Sequence, residues 1–172
     1  SNKVMIEKSK YLATQARDNK PYYEHSNIGY NYRLSNICAA IGLGQLVVLN
    51  QRIEQKRRIN LFYKNELSSI SEISFLSEEK NSFSNFWLTT ILLDHATINR
   101  EQLRLHLDKN NIESRPLWKP MHLQPVFQDC KSYLNGVSEY LFERGLCLPS
   151  STNMSKEELD RVSEKIKQIY EI

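Results

Sequence analysis

Residues 34–49, LSNICAAIGLGQLVVL, are apolar on nearly every side of a helix, and no other stretch constrains the fold as strongly. A helix that is hydrophobic all round has to be covered, in a core or at a subunit interface. Ser35 stands where a side-chain oxygen can accept a backbone N–H and start the helix. Gly42 and Gly44 each cost about 1 kcal/mol of helix propensity relative to alanine, which a close approach by another backbone would offset. From Asn50 to Ile70 the pattern turns amphipathic, with Ile53, Ile59, Phe62, Tyr63, Leu67 and Ile70 on one side. One long helix follows, or two that meet near Asn50.

The remaining elements are shorter. Lys3 to Ala16 reads as a helix, followed by a polar stretch from Arg17 to Asn27. FWLTTILL (86–93) is aromatic and β-branched and apolar on both faces, which predicts a central strand of a small sheet. Thr97 or Asn99 starts a helix to about Lys109, and Asn99 with Gln102 has the spacing of a capping box. A short strand is expected around Ile112 to Leu117. Ser138 to Arg144 reads as a helix stopped by Gly145, and GLCLP (145–149) as a buried strand. Ser155 with Glu158 caps a last helix carrying Leu159, Val162, Ile166 and Ile169. Helices come first, then strands alternate with helices, so the fold class is α+β with a small sheet.

Composition removes several classes of function. No apolar run approaches the roughly 20 residues needed to span a bilayer, so no membrane partner is expected. Cys38, Cys130 and Cys147 are too sparse for a metal knuckle or a disulfide framework, and a reducing cytoplasm suits them. The four histidines (His25, His95, His106, His122) lack metal-ligand spacing, so no metal is expected. With 23 basic and 20 acidic residues the net charge is +3, too mild to demand nucleic acid. The densest basic run, QRIEQKRR with Arg52, Lys56, Arg57 and Arg58, has Glu54 interleaved, the ordinary pattern of a solvated helix face.

Two stretches carry unusual chemistry. GYNYRLSN (29–36) sets a glycine, two tyrosines, an amide and a guanidinium before the apolar helix, and these polar groups can meet an anion. ESRPLWKPMHLQPVF (113–127) holds an Arg, a Trp, a Lys and a His among three prolines. A loop stiffened in this way suits a phosphorylated, ring-bearing ligand. Taken alone, either stretch is equally an ordinary turn with satisfied side chains.

Taken together and in order, GYNYRLSNICAAIGLGQL, ESRPLWKPMHLQPVF and ERGLCLPS resemble the C-terminal half of the pyridoxal-phosphate (PLP) sugar aminotransferases of the DegT/StrS type. The resemblance runs from about Tyr11 to the end and is nearest to enzymes acting on UDP-linked 4-keto-6-deoxy-HexNAc sugars. It implies the small C-terminal domain of fold-type-I aminotransferases, a mainly antiparallel sheet packed with helices and preceded by long helices. Residues 1–30 then close the large domain, and 31–172 form the C-terminal domain. The Schiff-base lysine belongs to the upstream large domain; Lys3, Lys8 and Lys10 fall just after its expected place. The opening Ser-Asn reads as an expression scar or a cut inside a longer chain.

The resemblance further implies a cytoplasmic homodimer that takes its amino group from glutamate and delivers it to a UDP- or other nucleotide-linked keto-sugar in glycan biosynthesis. Asn31 matches an asparagine that reaches across the dimer to the cofactor phosphate, and Arg33 the basic position beside it. Arg115, Trp118, Lys119 and His122 match the loop lining the sugar-nucleotide pocket. This piece alone is expected to be inactive. A standalone, catalytically dead module that binds a sugar nucleotide or regulates a partner is the competing reading, and a basic helical nucleic-acid binder is weaker still.

Overall fold

A computed structural model describes residues 2–94 and 97–171; His95 lies outside them. Helix α1 (Lys3–Ala13) begins at Asn2, whose side chain accepts from the Met5 N–H, and it ends at Thr14. The chain then turns through Gln15 and Ala16, both at positive φ, and returns alongside the helix end. Tyr30 and Tyr32 donate backbone N–H groups to the carbonyls of Leu12 (3.1 Å) and Ala13 (3.0 Å), and Thr14 bridges Asn31. This return requires Gly29, because a Cβ there would sit 2.5 Å from the Ala16 nitrogen. Asp18 ties the polar stretch by accepting from the hydroxyls of Ser26 (2.7 Å) and Tyr11 (2.8 Å), which hold its carboxyl below the usual range.

Helix α2 (Asn36–Glu66) is one uninterrupted helix rather than two. The Ser35 hydroxyl accepts from the Cys38 N–H at its start, as the sequence predicts. The chain divides into two compact units between Val48 and Leu49, so the two halves of α2 belong to different units. Among the described residues no core covers the first half. Ile37 is 75% exposed and Val47 82%, and nothing lies within 4 Å of a Cβ built on Gly42 or Gly44.

In the second unit, strands β1 (Ile73–Phe75), β2 (Thr89–Leu93), β3 (Arg115–Pro116) and β4 (Gly145–Leu148) form one antiparallel sheet in the order β1-β2-β4-β3. Ile91 faces Phe75 on one side and Leu146 on the other, which makes β2 internal as its apolar sequence predicts. The strand expected over Ile112 to Leu117 shrinks to Arg115–Pro116. It sits at the sheet edge, where a proline without an N–H is tolerated. Helices α3 (Arg100–Lys109) and α5 (Lys156–Ile169) each start with the predicted capping box, at Asn99/Gln102 and Ser155/Glu158. Their buried Leu103, Leu107, Val162 and Ile166 join Ile59, Tyr63, Ile91, Leu146 and Leu148 in a single core.

Helix α4 (Val137–Arg144) runs directly into β4. Gly145 is not a left-handed helix stop; its φ is −88° and it already belongs to the strand. Its lack of a side chain is needed for packing, since a Cβ would come 2.1 Å from Leu117 Cδ1.

The basic run is only partly a solvated face. Arg58 pairs with Glu54 on the surface, but Arg57 clamps the segment that leads from β1 to β2. Its two terminal nitrogens each lie 3.0 Å from a Glu78 oxygen, it donates to the Ser84 carbonyl, and it stacks over Phe83. Glu78 also accepts from the Ser84 N–H, and with Arg57 this pulls its pKa from 4.5 to about 2. A depressed carboxylate stabilises the fold above its unfolded pKa and loses that contribution as pH falls through the folded one. Glu78→Gln should therefore lower the melting temperature at neutral pH. In a melting series the two proteins should converge as pH falls from 4.5 toward 2.

Candidate functional site

Strands β3 and β4 and the residues leading into β2 enclose a depression of about 450 Å³. Trp87, Glu113, Arg115, Trp118, Cys147 and Ser150 are among its lining. Strand pairing places Arg115 opposite Cys147, so the edge strand delivers the guanidinium to the depression. There Arg115 donates to Glu113 Oε1 from Nε (2.7 Å) and Nη2 (2.5 Å). Trp118 follows at once, and its ring centroid lies 5.9 Å from that of Trp87 at a tilt of 36°. Burial pushes the Cys147 thiol pKa up, which makes it a poor nucleophile.

The rest of the 113–127 stretch turns away. It winds into two short 3-10 turns, Met121–Leu123 and Pro125–Phe127. His122 Nε2 lies 2.7 Å from Glu139 Oε1 on α4, without an aligned hydrogen bond. The Glu139 carboxyl is held low, first by its own backbone N–H and then by Ser138 and His122. Lys119 is exposed and its carbonyl accepts from Gln124. The structure thus brings Arg115 and Trp118 to one depression, while Lys119 and His122 do not line it.

In the first unit, Asn31 is exposed and lines an open depression of about 660 Å³ with His25, Asn27 and Tyr30. Arg33 is exposed two residues on and is not part of that lining. Tyr30 and Tyr32 stack at 5.5 Å, which stiffens the strand-like segment presenting the amide. An exposed amide and guanidinium on a backbone fixed to the end of α1 form a donor set that fits a phosphate.

Two residues with a part in this geometry were read from the sequence in other roles, Lys56 in a solvated helix face and Trp87 in a strand. Lys56 is half-buried, and its Nζ donates to the carbonyls of Trp87 (2.9 Å) and Ser150 (2.5 Å); desolvation lowers its pKa. Trp87 carries the strand signal of FWLTTILL but stands before β2 begins and is 58% exposed. A tryptophan near the start of the apolar run was the signal the sequence offered. Among the described residues no group of three or more His, Cys, Asp or Glu is placed to hold a metal ion. Likewise, no helix among them is long and apolar enough to cross a membrane.

Comparison with known proteins places these features in a wider group. The DegT/DnrJ/EryC1/StrS aminotransferase family matches residues 2–167. The protein EpsN of Bacillus subtilis (strain 168), whose name carries the words pyridoxal phosphate-dependent aminotransferase, is 43% identical over 99% of this chain and 45% of its own length. GDP-perosamine synthase of Escherichia coli O157:H7 is 39% identical over 86% of this chain and 40% of its own length. The solved structure of Helicobacter pylori PseC, an aminotransferase involved in the biosynthesis of pseudoaminic acid, has the same fold. Its TM-score is 0.84 at 20% identity, covering 99% of this chain and 47% of PseC. The chain therefore spans less than half the length of the relatives it matches. The antiparallel sheet with helices agrees with the fold expected from sequence.

Lys56→Met should strip the donor from two backbone carbonyls, at a cost of about 1–3 kcal/mol. It should lower the melting temperature and alter the near-ultraviolet circular dichroism of the tryptophans. Arg58→Met, which removes only an exposed pair, should leave both unchanged.

Proposed function

Because the chain belongs to the DegT/DnrJ/EryC1/StrS aminotransferase family, we propose that it is the C-terminal half of a PLP-dependent enzyme that aminates a nucleotide-linked keto-sugar. Glutamate is the donor in this reading, and a UDP-linked 4-keto-6-deoxy-HexNAc sugar the acceptor, in bacterial glycan synthesis in the cytoplasm. The observation that carries it is the family match along almost the whole chain. Residues 1–30 close the large domain and 31–172 make the C-terminal one. The lysine that binds the cofactor belongs to the part of the relatives outside this chain, which on its own is inactive.

When bound, PLP supplies the electron sink for moving the amino group. The chain's own residues bind and orient. The Asn31 amide donates to the cofactor phosphate of the second subunit, and the Arg33 guanidinium adds a positive charge beside it. Arg115 and Lys119 offer cations to the sugar nucleotide, Trp118 an apolar face and His122 an imidazole. Glu139 places its charge 2.7 Å from His122 Nε2. Support for a homodimer comes from the apolar first half of α2, exposed from Ile37 to Val47.

Three experiments follow. In the full-length parent, Asn31→Ala removes a hydrogen bond to a charged group, worth about 1.5–3 kcal/mol, so PLP affinity should fall about ten- to a hundredfold. His122→Ala should spare PLP binding and the glutamate half-reaction and slow the sugar half-reaction. The absorbance of the cofactor follows each half separately, and equal slowing of both would remove His122 from the sugar site. Sedimentation of the chain should show self-association; a strict monomer at high concentration would count against the dimer.

A further inference from the structure

We propose that Trp87 and Trp118 together form the platform on which the base of the nucleotide stacks, an inference that rests on the sugar-nucleotide reading above. Trp87 is the new element. Both indoles are largely exposed, at 58% and 68%, while the backbone that carries each is restrained. The Trp87 backbone N–H donates to Asn85 Oδ1 (3.1 Å) and the backbone carbonyl accepts from Lys56 Nζ (2.9 Å). Phe86, immediately before it, is held at φ 45° in the left-handed region, a strain that a bulky residue adopts only where its surroundings enforce it. Trp118 stands between Pro116 and Pro120, whose rings fix their own φ angles. Aromatic faces that are already positioned lose little freedom when a ligand arrives.

The spacing selects the mode of stacking. A ring sandwiched between two others needs about 7 Å between them, twice the roughly 3.5 Å of carbon–carbon contact. The centroids are 5.9 Å apart and tilted, so the base lies on the outer face of the pair, toward the depression, and does not enter between the rings. The depression of about 450 Å³ falls within the usual size of small-molecule sites, and Arg115 in its lining supplies a cation for the phosphates. Every base has a π-face, so such a platform accepts uracil and guanine alike and leaves discrimination to groups at the base edge.

Trp87 and Trp118 are the only tryptophans in the sequence, so fluorescence reports on this pair alone. Titrated with UDP or GDP, the chain should show saturable quenching, and inorganic pyrophosphate should cause none. In equilibrium dialysis, Trp87→Ala and Trp118→Ala should each weaken UDP binding about five- to a hundredfold. Trp87→Phe keeps an aromatic face and should stay near the parent affinity; as large a loss there as with alanine would overturn the platform. UDP and GDP bound with unchanged affinity by both alanine variants would also overturn it, while leaving the sugar-nucleotide reading intact. Absence of any UDP or GDP binding to the unsubstituted chain would overturn both.

Discussion

The turn at Pro149 and Ser150 is the point on which the second unit depends. The Tyr63 hydroxyl, kept protonated by the burial that raises its pKa, donates to the Pro149 carbonyl at 2.9 Å. Two turns earlier on α2, Lys56 reaches the Ser150 carbonyl and the Trp87 carbonyl. The Ser150 hydroxyl in turn donates to the Leu148 carbonyl and accepts from the Thr89 N–H, which opens β2. A few polar side chains thereby fix the end of β4, the start of β2 and the second half of α2 against each other. These carbonyls are tied by several donors at once, the Leu148 one in the buried interior, so the turn has little freedom to shift. Trp87 and the floor of the depression take their positions from it.

Where a single element decides its own structure, the sequence is legible. The two capping boxes close on themselves within three residues, and both are found where Asn99 and Ser155 place them. The last helix needs only the spacing of Leu159, Val162 and Ile166 to show its buried face. Strand β1 has three residues and no period to detect, and it exists because β2 offers it an edge. Gly145 carries the usual signal of a helix end, but its small size serves Leu117, a neighbour that only the tertiary fold supplies.

The candidate site divides in the same way. Arg115 and Trp118 are close in sequence and reach one depression, so the loop that holds them could be picked out as a unit. Lys56 could not, because its partners are 31 and 94 residues away and its own neighbourhood reads as a charged helix face. Arg57 was hidden for the same reason, its carboxylate partner being 21 residues on. A basic residue shows its role only through the acceptor it meets, and local spacing records nothing of a distant carbonyl. Glu139 beside His122 is a further case, brought there by α4 from beyond the end of the proline-rich stretch.

Helix α2 shows how one element can serve two kinds of surface. Its second half buries Ile59 and Tyr63 in the core of its own unit, with polar residues facing outward. Its first half has no such division: Ile37, Ile41, Leu43, Leu46 and Val47 are all exposed. Water around five large aliphatic side chains is unfavourable by roughly 25 cal/mol for each Å² of apolar surface, and the two glycines add helix penalties of about 1 kcal/mol each. Gly42 and Gly44, two residues apart and so on opposite sides of the helix, each leave a low spot that an opposing backbone could approach closely. The apolar pattern and the two glycines are both uneconomical on a wetted helix and both favourable under a closely packed partner. A helix of this composition is therefore written for contact with protein along its first half, which is the physical ground of the dimer proposed for the parent enzyme.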